Sequence, residues 1–229
     1  MKDRQMPLVD SGWTIETDTS LQSVLDSPEC PPLLRQTLTG TLSWQTRNET
    51  PVRRALRSPR IAPQWVAALL ALGATVTVEG DAGPEDVPLA VGAGFPRPHA
   101  LHVPRRGLPP ASGGPGGVRW GEARVARTPA DEPIVAAVAV VETDDGVVQQ
   151  ARVALTGVWP EAVRLAKAPA QLVGGPLDEE SIRAVAAAVE KEVTPKGDFL
   201  GSEEYRRAMA GVLTRRALEQ CLRQETGDE

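Results

Sequence analysis

The strongest apolar pattern in the chain is QWVAALLAL at Gln64–Leu72, hydrophobic nearly all the way round, with Pro63 at the first helical turn and Gly73 just past the end. That pattern predicts a buried helix rather than an amphipathic surface one. ATVTVEG then alternates with β-branched residues and predicts a strand over about 74–79, and DAGPEDVPLA predicts a turn into a short extended segment. Ahead of this, residues 1–35 are polar and irregular. The exception is SLQSVLDSPEC, where Leu21, Val24 and Leu25 suit one short helix capped by Ser20.

Beyond residue 118 the pattern changes to three β-rich runs, VRWGEARVAR, EPIVAAVAVVET and VVQQARVALTGV, the last two joined by Asp144-Asp145-Gly146, a hairpin signal. Three helices are expected after them: about 161–172, about 178–191 with Asp178 as cap, and about 202–223 with Ser202 as cap and Glu203–Glu204 behind it. Between the halves, GAGFPRPHALHVPRRGLPPASGGPGGV is dense in Pro and Gly and reads as a linker interrupted by a strand near Ala100–Val103. The expected division is a partial lobe over 1–91, a linker over 92–117 and an α+β domain over 118–229, whose antiparallel sheet carries helices on one face.

Composition narrows the partners. The 229 residues carry 30 Asp and Glu against 25 Lys and Arg, a formal charge of −5, which excludes the basic footprint of a nucleic-acid module. No run is long and apolar enough for a membrane helix and the N-terminus lacks a signal-peptide core, so a soluble, cytoplasmic protein is expected. Cys30 and Cys221 stand far apart, which excludes a disulfide scaffold and a cysteine metal site. His99 and His102 lie three apart in a Pro-rich stretch with no third ligand nearby, so they read as surface or loop histidines and no metal is expected. Among five tryptophans Trp65 fits the buried helix, while Trp13 and Trp44 are the better candidates for a lined pocket or partner surface, with core or edge packing the favoured reading. Glu16, Asp18 and Asp26 show no paired acid–base spacing, and no nucleophile elbow, P-loop or zincin motif occurs.

RVARTPADEPIVAAVAVV, ARVALTGV, LVGGPLDEESI and DFLGSEEYRRAMAGVLTRRAL, in that order, closely resemble the C-terminal domain of the FAD-bearing medium subunits of molybdenum hydroxylases, the carbon monoxide dehydrogenase and xanthine dehydrogenase family. The closing signature of that family falls on Asp198, Ser202, Tyr205, Arg206 and Arg207. Upstream, Arg47-Asn48-Glu49-Thr50-Pro51-Val52-Arg53-Arg54-Ala55 resembles the frame of the second FAD-binding lobe, with Val52-Arg53-Arg54-Ala55 where the family carries Gly-Gly-Asn. Residues 1–35 contain one glycine, Gly12, and no Gly-rich loop, so the first lobe is expected to be missing.

The resemblance implies FAD, a molybdenum-cofactor large subunit and an iron-sulfur small subunit. The sequence argues against the ordinary FAD mode, because a diphosphate needs backbone N–H groups at close approach, which glycine permits and side chains obstruct. Arg47, Asn48, Thr50, Arg53, Arg54 and Asp131 are the candidate cofactor-binding residues; no catalytic residue is assigned. Asp131 sits where the family brings this domain toward the flavin ring, although on turn propensity alone it is a strand-entry residue. Tyr205 with Arg206 and Arg207 reads as orienting the last helix against its sheet. Three functional classes follow: a medium-subunit-like component of an oxidoreductase complex, a cofactor-free scaffold or assembly factor, and an emptied flavin cleft repurposed for another small molecule.

Overall fold

The structure, a computed structural model, describes residues 12–80, 83–90, 98–104, 117–128 and 131–226. Strand β1 (Trp13–Glu16) leads into a run of helices: α1 (Leu21–Asp26), α2 (Pro32–Thr41), α3 (Trp44–Glu49), α4 (Val52–Arg57) and α5 (Pro63–Leu72). Strands β2 (Thr75–Gly80), β3 (Gly83–Pro88) and β4 (Ala100–Val103) follow and join β1 in an antiparallel sheet of order β1-β4-β2-β3. As expected, Ser20 caps α1, its hydroxyl accepting from the Ser23 N–H at 3.1 Å. All ten residues of α5 are buried, and Gly73 closes that helix in the left-handed region at φ +74°. The proline-bearing β3 takes a sheet edge, where a missing N–H is tolerated. Most of the expected 92–117 linker lies outside the described residues, but β4, at the place foreseen for a strand, joins β1 to β2.

The second sheet has the order β5 (Gly117–Val125), β6 (Val135–Asp144), β7 (Val147–Thr156), β8 (Val163–Leu165), again antiparallel. Asp145 and Gly146 form the β6–β7 turn with φ of 49° and 78°, the conformation that a two-residue hairpin requires. Helices α6 (Glu179–Glu192) and α7 (Glu203–Thr226) cover one face. The helix expected over 161–172 is not formed: that stretch gives β8 and a short 3-10 helix, Ala168–Leu172. Pro169 has no N–H for the α-helical ladder and its ring clashes with the carbonyl four residues back. The Glu192 carboxylate, from the end of α6, instead accepts the Lys167 and Ala168 N–H groups at 2.9 to 3.0 Å.

The two halves share a core. On β6, Val135, Ala137, Ala139 and Val141 pack against α6 and α7, while Val138 and Val140 pack with Trp65 and the rest of α5 in the first lobe's core. The sheet is therefore buried on both faces, which is why β6 reads as an almost unbroken apolar run. Across this junction Arg124 donates to the Gly40 carbonyl at 2.6 Å and Gln36 donates to Glu122 at 3.0 Å.

Candidate functional site

The segment singled out at 47–55 lies at the α3–α4 junction, and its backbone is fastened to the loop after β1. Leu21 N–H donates to the Thr50 carbonyl at 2.9 Å, Val52 N–H to the Thr19 carbonyl at 2.9 Å and Arg53 N–H to the Thr17 carbonyl at 2.8 Å. Arg54 N–H turns back to Pro51. The first amides of α4 thus already have partners within the chain. Val52 and Ala55 are fully buried in the core, while Arg53, Arg54 and Arg57 stand out to solvent. A diphosphate cradle needs open amides at close approach, and this junction does not offer them.

The candidate residues separate by role. Arg47 ties α3 to its neighbours, donating to Gln22 at 2.8 Å and to the Leu42 carbonyl. Asn48 bonds back to Trp44 within its own helix at 2.8 Å, and Thr50 is buried. Arg53 pairs with Asp18. The Arg54 side chain makes no ion pair or hydrogen bond among the described residues, and neither does that of Arg57, a residue not among the candidates expected from the sequence. Arg57 follows Arg53 by four residues, a same-face spacing that becomes informative only once α4 is known to be helical. Asp131 lies far from this group in sequence, in the turn between β5 and β6; its N–H bonds to Thr128 at 3.1 Å and its carboxylate stands 3.6 Å from Arg127.

Two adjoining depressions open here. One of about 530 Å³ is lined by Pro51, Arg53, Arg54, Arg57 and Ser58. The other, about 440 Å³, shares Arg53 and Arg57 and adds Glu16, Asp18 and His99 among its walls. His99 stands 3.3 Å from Glu79. His102 lies on the sheet's outward face in a row with one side chain from each strand. Its Nδ1 is 2.9 Å from the Thr14 hydroxyl, its Nε2 2.6 Å from the Thr77 hydroxyl, and Thr77 donates to Asp86 at 2.5 Å. Among the described residues no three His, Cys, Asp or Glu side chains are grouped to hold a metal. Of the tryptophans proposed for a partner surface, Trp13 packs partly against the core and Trp44 is 68% exposed.

The closing signature builds a clamp. Arg206, 5% exposed, donates through Nη1 to the carbonyls of Ile134 (2.8 Å) and Gly157 (2.9 Å), and through Nη2 to both oxygens of Asp198 (2.8 Å each). Asp198 also accepts from the Leu200 and Gly201 N–H groups at 2.8 and 3.2 Å. These bonds, that from Arg206 first, hold its carboxyl below the usual carboxylate range. The clamp fixes the start of α7 to the ends of β6 and β7, so of the three residues expected to orient the last helix Arg206 fills the role, while Tyr205 is 37% exposed. It also borders a cleft of about 240 Å³, to which Arg60 and Pro63 contribute from the first lobe and Trp159, Glu132 and Glu161 from the second. Both cysteines are buried and free, and burial pushes the Cys30 thiol up to about 11 and Cys221 up to about 12. Among the described residues no helix is long and apolar enough to cross a membrane.

Residues 123–221 match the family described as the CO dehydrogenase flavoprotein C-terminal domain. The carbon monoxide dehydrogenase medium chain of Hydrogenophaga pseudoflava is 30% identical over 102 residues, 44% of this chain and 36% of that relative. The aligned region thus spans just over a third of the relative's length. Among solved structures, CO dehydrogenase from Oligotropha carboxidovorans superposes with a TM-score of 0.74 at 26% identity, covering 91% of this chain and 74% of that one. Quinoline 2-oxidoreductase from Pseudomonas putida 86 gives 0.71 at 21% identity over 94% and 75% of the two chains, a likeness of fold alone.

Proposed function

We propose that the chain acts as a medium-subunit-type component of a molybdenum hydroxylase-type oxidoreductase complex without holding FAD in the ordinary mode. The first part is supported by the second lobe, which keeps both the family's sequence over 123–221 and the Asp198–Arg206 clamp. The second rests on one observation, the engagement of the α4 amides by the Thr17 and Thr19 carbonyls with side chains larger than glycine at Val52, Arg53 and Arg54. In this reading the chain's own residues supply a rigid docking body, with the two lobes locked through α5. The partners are a molybdenum-cofactor large subunit and an iron-sulfur small subunit.

The test is an absorbance scan over the flavin bands on protein isolated from its native host, with mass spectrometry of released small molecules and copurifying chains. The expected sample lacks flavin bands and brings the two partner subunits with it. Flavin bands with FAD released on denaturation would overturn the second part; isolation without either partner would overturn the first. A second reading, a binding site for another small molecule, is favoured by one feature, the arginine-lined depression on α4.

A further inference from the structure

On a chain whose formal charge is −5, residues 50–78 contain four arginines, Arg53, Arg54, Arg57 and Arg60, and no Asp or Glu. Helix α4 sorts three of them. Val52, Ala55 and Leu56 are buried against the core, which fixes the helix phase and turns Arg53, Arg54 and Arg57 outward together. Among the described residues these three are the only charged ones lining the depression of about 530 Å³, where Ser58 is also at the wall. Like charges three and four residues apart on one helix, as in Arg54–Arg57 and Arg53–Arg57, repel and weaken it unless an anion lies between them. The carboxylate paired with this group is Asp18, which engages Arg53 from the neighbouring depression. Arg54 and Arg57 have no carboxylate partner among the described residues.

From this we infer that Arg53, Arg54 and Arg57 form a side-chain anion site for a phosphate monoester. A phosphate monoester carries close to two negative charges and three acceptor oxygens, enough to engage more than one guanidinium fork, whereas a carboxylate fills one. The depression is within the usual size range for a small-molecule site, so it accommodates an organic group beyond the phosphate. Asp18 competes with the ligand for Arg53, and binding releases it. The inference is independent of the docking role proposed above, because it concerns guanidinium groups on the outer face of α4 and needs no open amide.

The experiment titrates the full chain with inorganic phosphate and, separately, adenosine monophosphate. It is followed by calorimetry at low salt, after the visible spectrum of the same sample has been recorded, so that failure of this site and failure of the flavin-free reading are told apart. Both probes are expected to saturate at one site, with adenosine monophosphate tighter if the rest of the depression takes part. The Arg54→Gln/Arg57→Gln double variant, both positions being exposed, should fold normally by circular dichroism. It should bind at least about tenfold more weakly, as loss of charge-assisted hydrogen bonds predicts. Asp18→Asn should bind more tightly than the parent. Binding that does not saturate, or that the double variant leaves unchanged, overturns the proposal. Stronger displacement by polyglutamate than by adenosine monophosphate also overturns it and assigns the patch to an acidic protein surface.

Discussion

Arg206 is buried with a positive charge, and the structure accounts for every bond that keeps it there except one at Nε, which has no partner among the described residues. Arg206→Ala would leave the Ile134 and Gly157 carbonyls without this donor and Asp198 without its ion pair, with an expected loss of about 3 kcal/mol. Urea unfolding measures it, and Arg207→Ala serves as the neighbouring control with little change expected. The pair also sets an acid limit. Asp198 has a lowered folded value, so its contribution is present above the ordinary carboxylate range and disappears as pH falls through the lowered one. Asp198→Asn should therefore flatten the acid limb of the stability profile, and an unchanged limb would assign acid unfolding to other groups. The signature made Asp198, Tyr205, Arg206 and Arg207 legible in the sequence. Which arginine turns inward was not, because that depends on the rotation of α7 against the sheet.

Helix α7 seats on the edge strand β5 through a glycine and two glutamines. A Cβ at Gly121 would overlap the Ala217 carbonyl oxygen, so backbone meets backbone there. Gln220 accepts from the Glu122 N–H and donates to its carbonyl, both at 2.9 Å. One turn later Gln224 does the same for Trp120 at 3.2 and 3.0 Å. The free edge of β5 is thereby given hydrogen-bonding partners along its own chain, which keeps it from pairing with another. Gly121→Ala should destabilise by about 2 kcal/mol by forcing α7 outward, with loss of hydrogen-exchange protection at Trp120 and Glu122; wild-type stability would mean the helix slides freely. Elements with strong local signals were legible: α5 from its all-round apolar run, the β6–β7 hairpin from Asp-Gly, α6 and α7 from their caps. Helices α2, α3 and α4 were not. They are rich in Thr and charged residues; α2 and α4 are held by tertiary packing of Leu33, Leu34, Leu38, Val52 and Leu56 rather than by propensity, and α3, with no buried residue, by its Ser43 cap and the bonds of Arg47. The α4 miss hid Arg57, and with it the convergence of three arginines.

At the scale of the molecule, Val138, Val140, Ala154 and Val163 of the second sheet belong to the core built around α5, so the start of the family match at residue 123 is not a folding boundary. A fragment over 117–226 would bare Val138, Val140, Ala154 and Val163, and it is expected to aggregate or bind a hydrophobic dye, while the whole chain melts in one transition. Separate melting of the two halves would contradict this. Glu122 reports on the same junction. Burial raises its carboxyl above the ordinary value against the opposing effects of Arg124 and the Gln36 hydrogen bond. Its ionised form is thus disfavoured in the fold, and stability falls as pH rises from the ordinary carboxylate value through the raised one. Glu122→Gln should raise the melting temperature at neutral pH and lose that advantage in acid; the opposite sign would mean Arg124 outweighs burial. The row Thr14–His102–Thr77–Asp86 has a different bearing on assembly. Strand β1 is four residues long, and only Ile15 on its inner face is deeply buried, so a two-residue slip would leave the alternation of inward and outward positions intact. Such a slip would leave His102 facing the wrong neighbour. The polar row on the wet side thus works as a checksum, distinguishing the native alignment from a misaligned copy that hydrophobicity alone would accept.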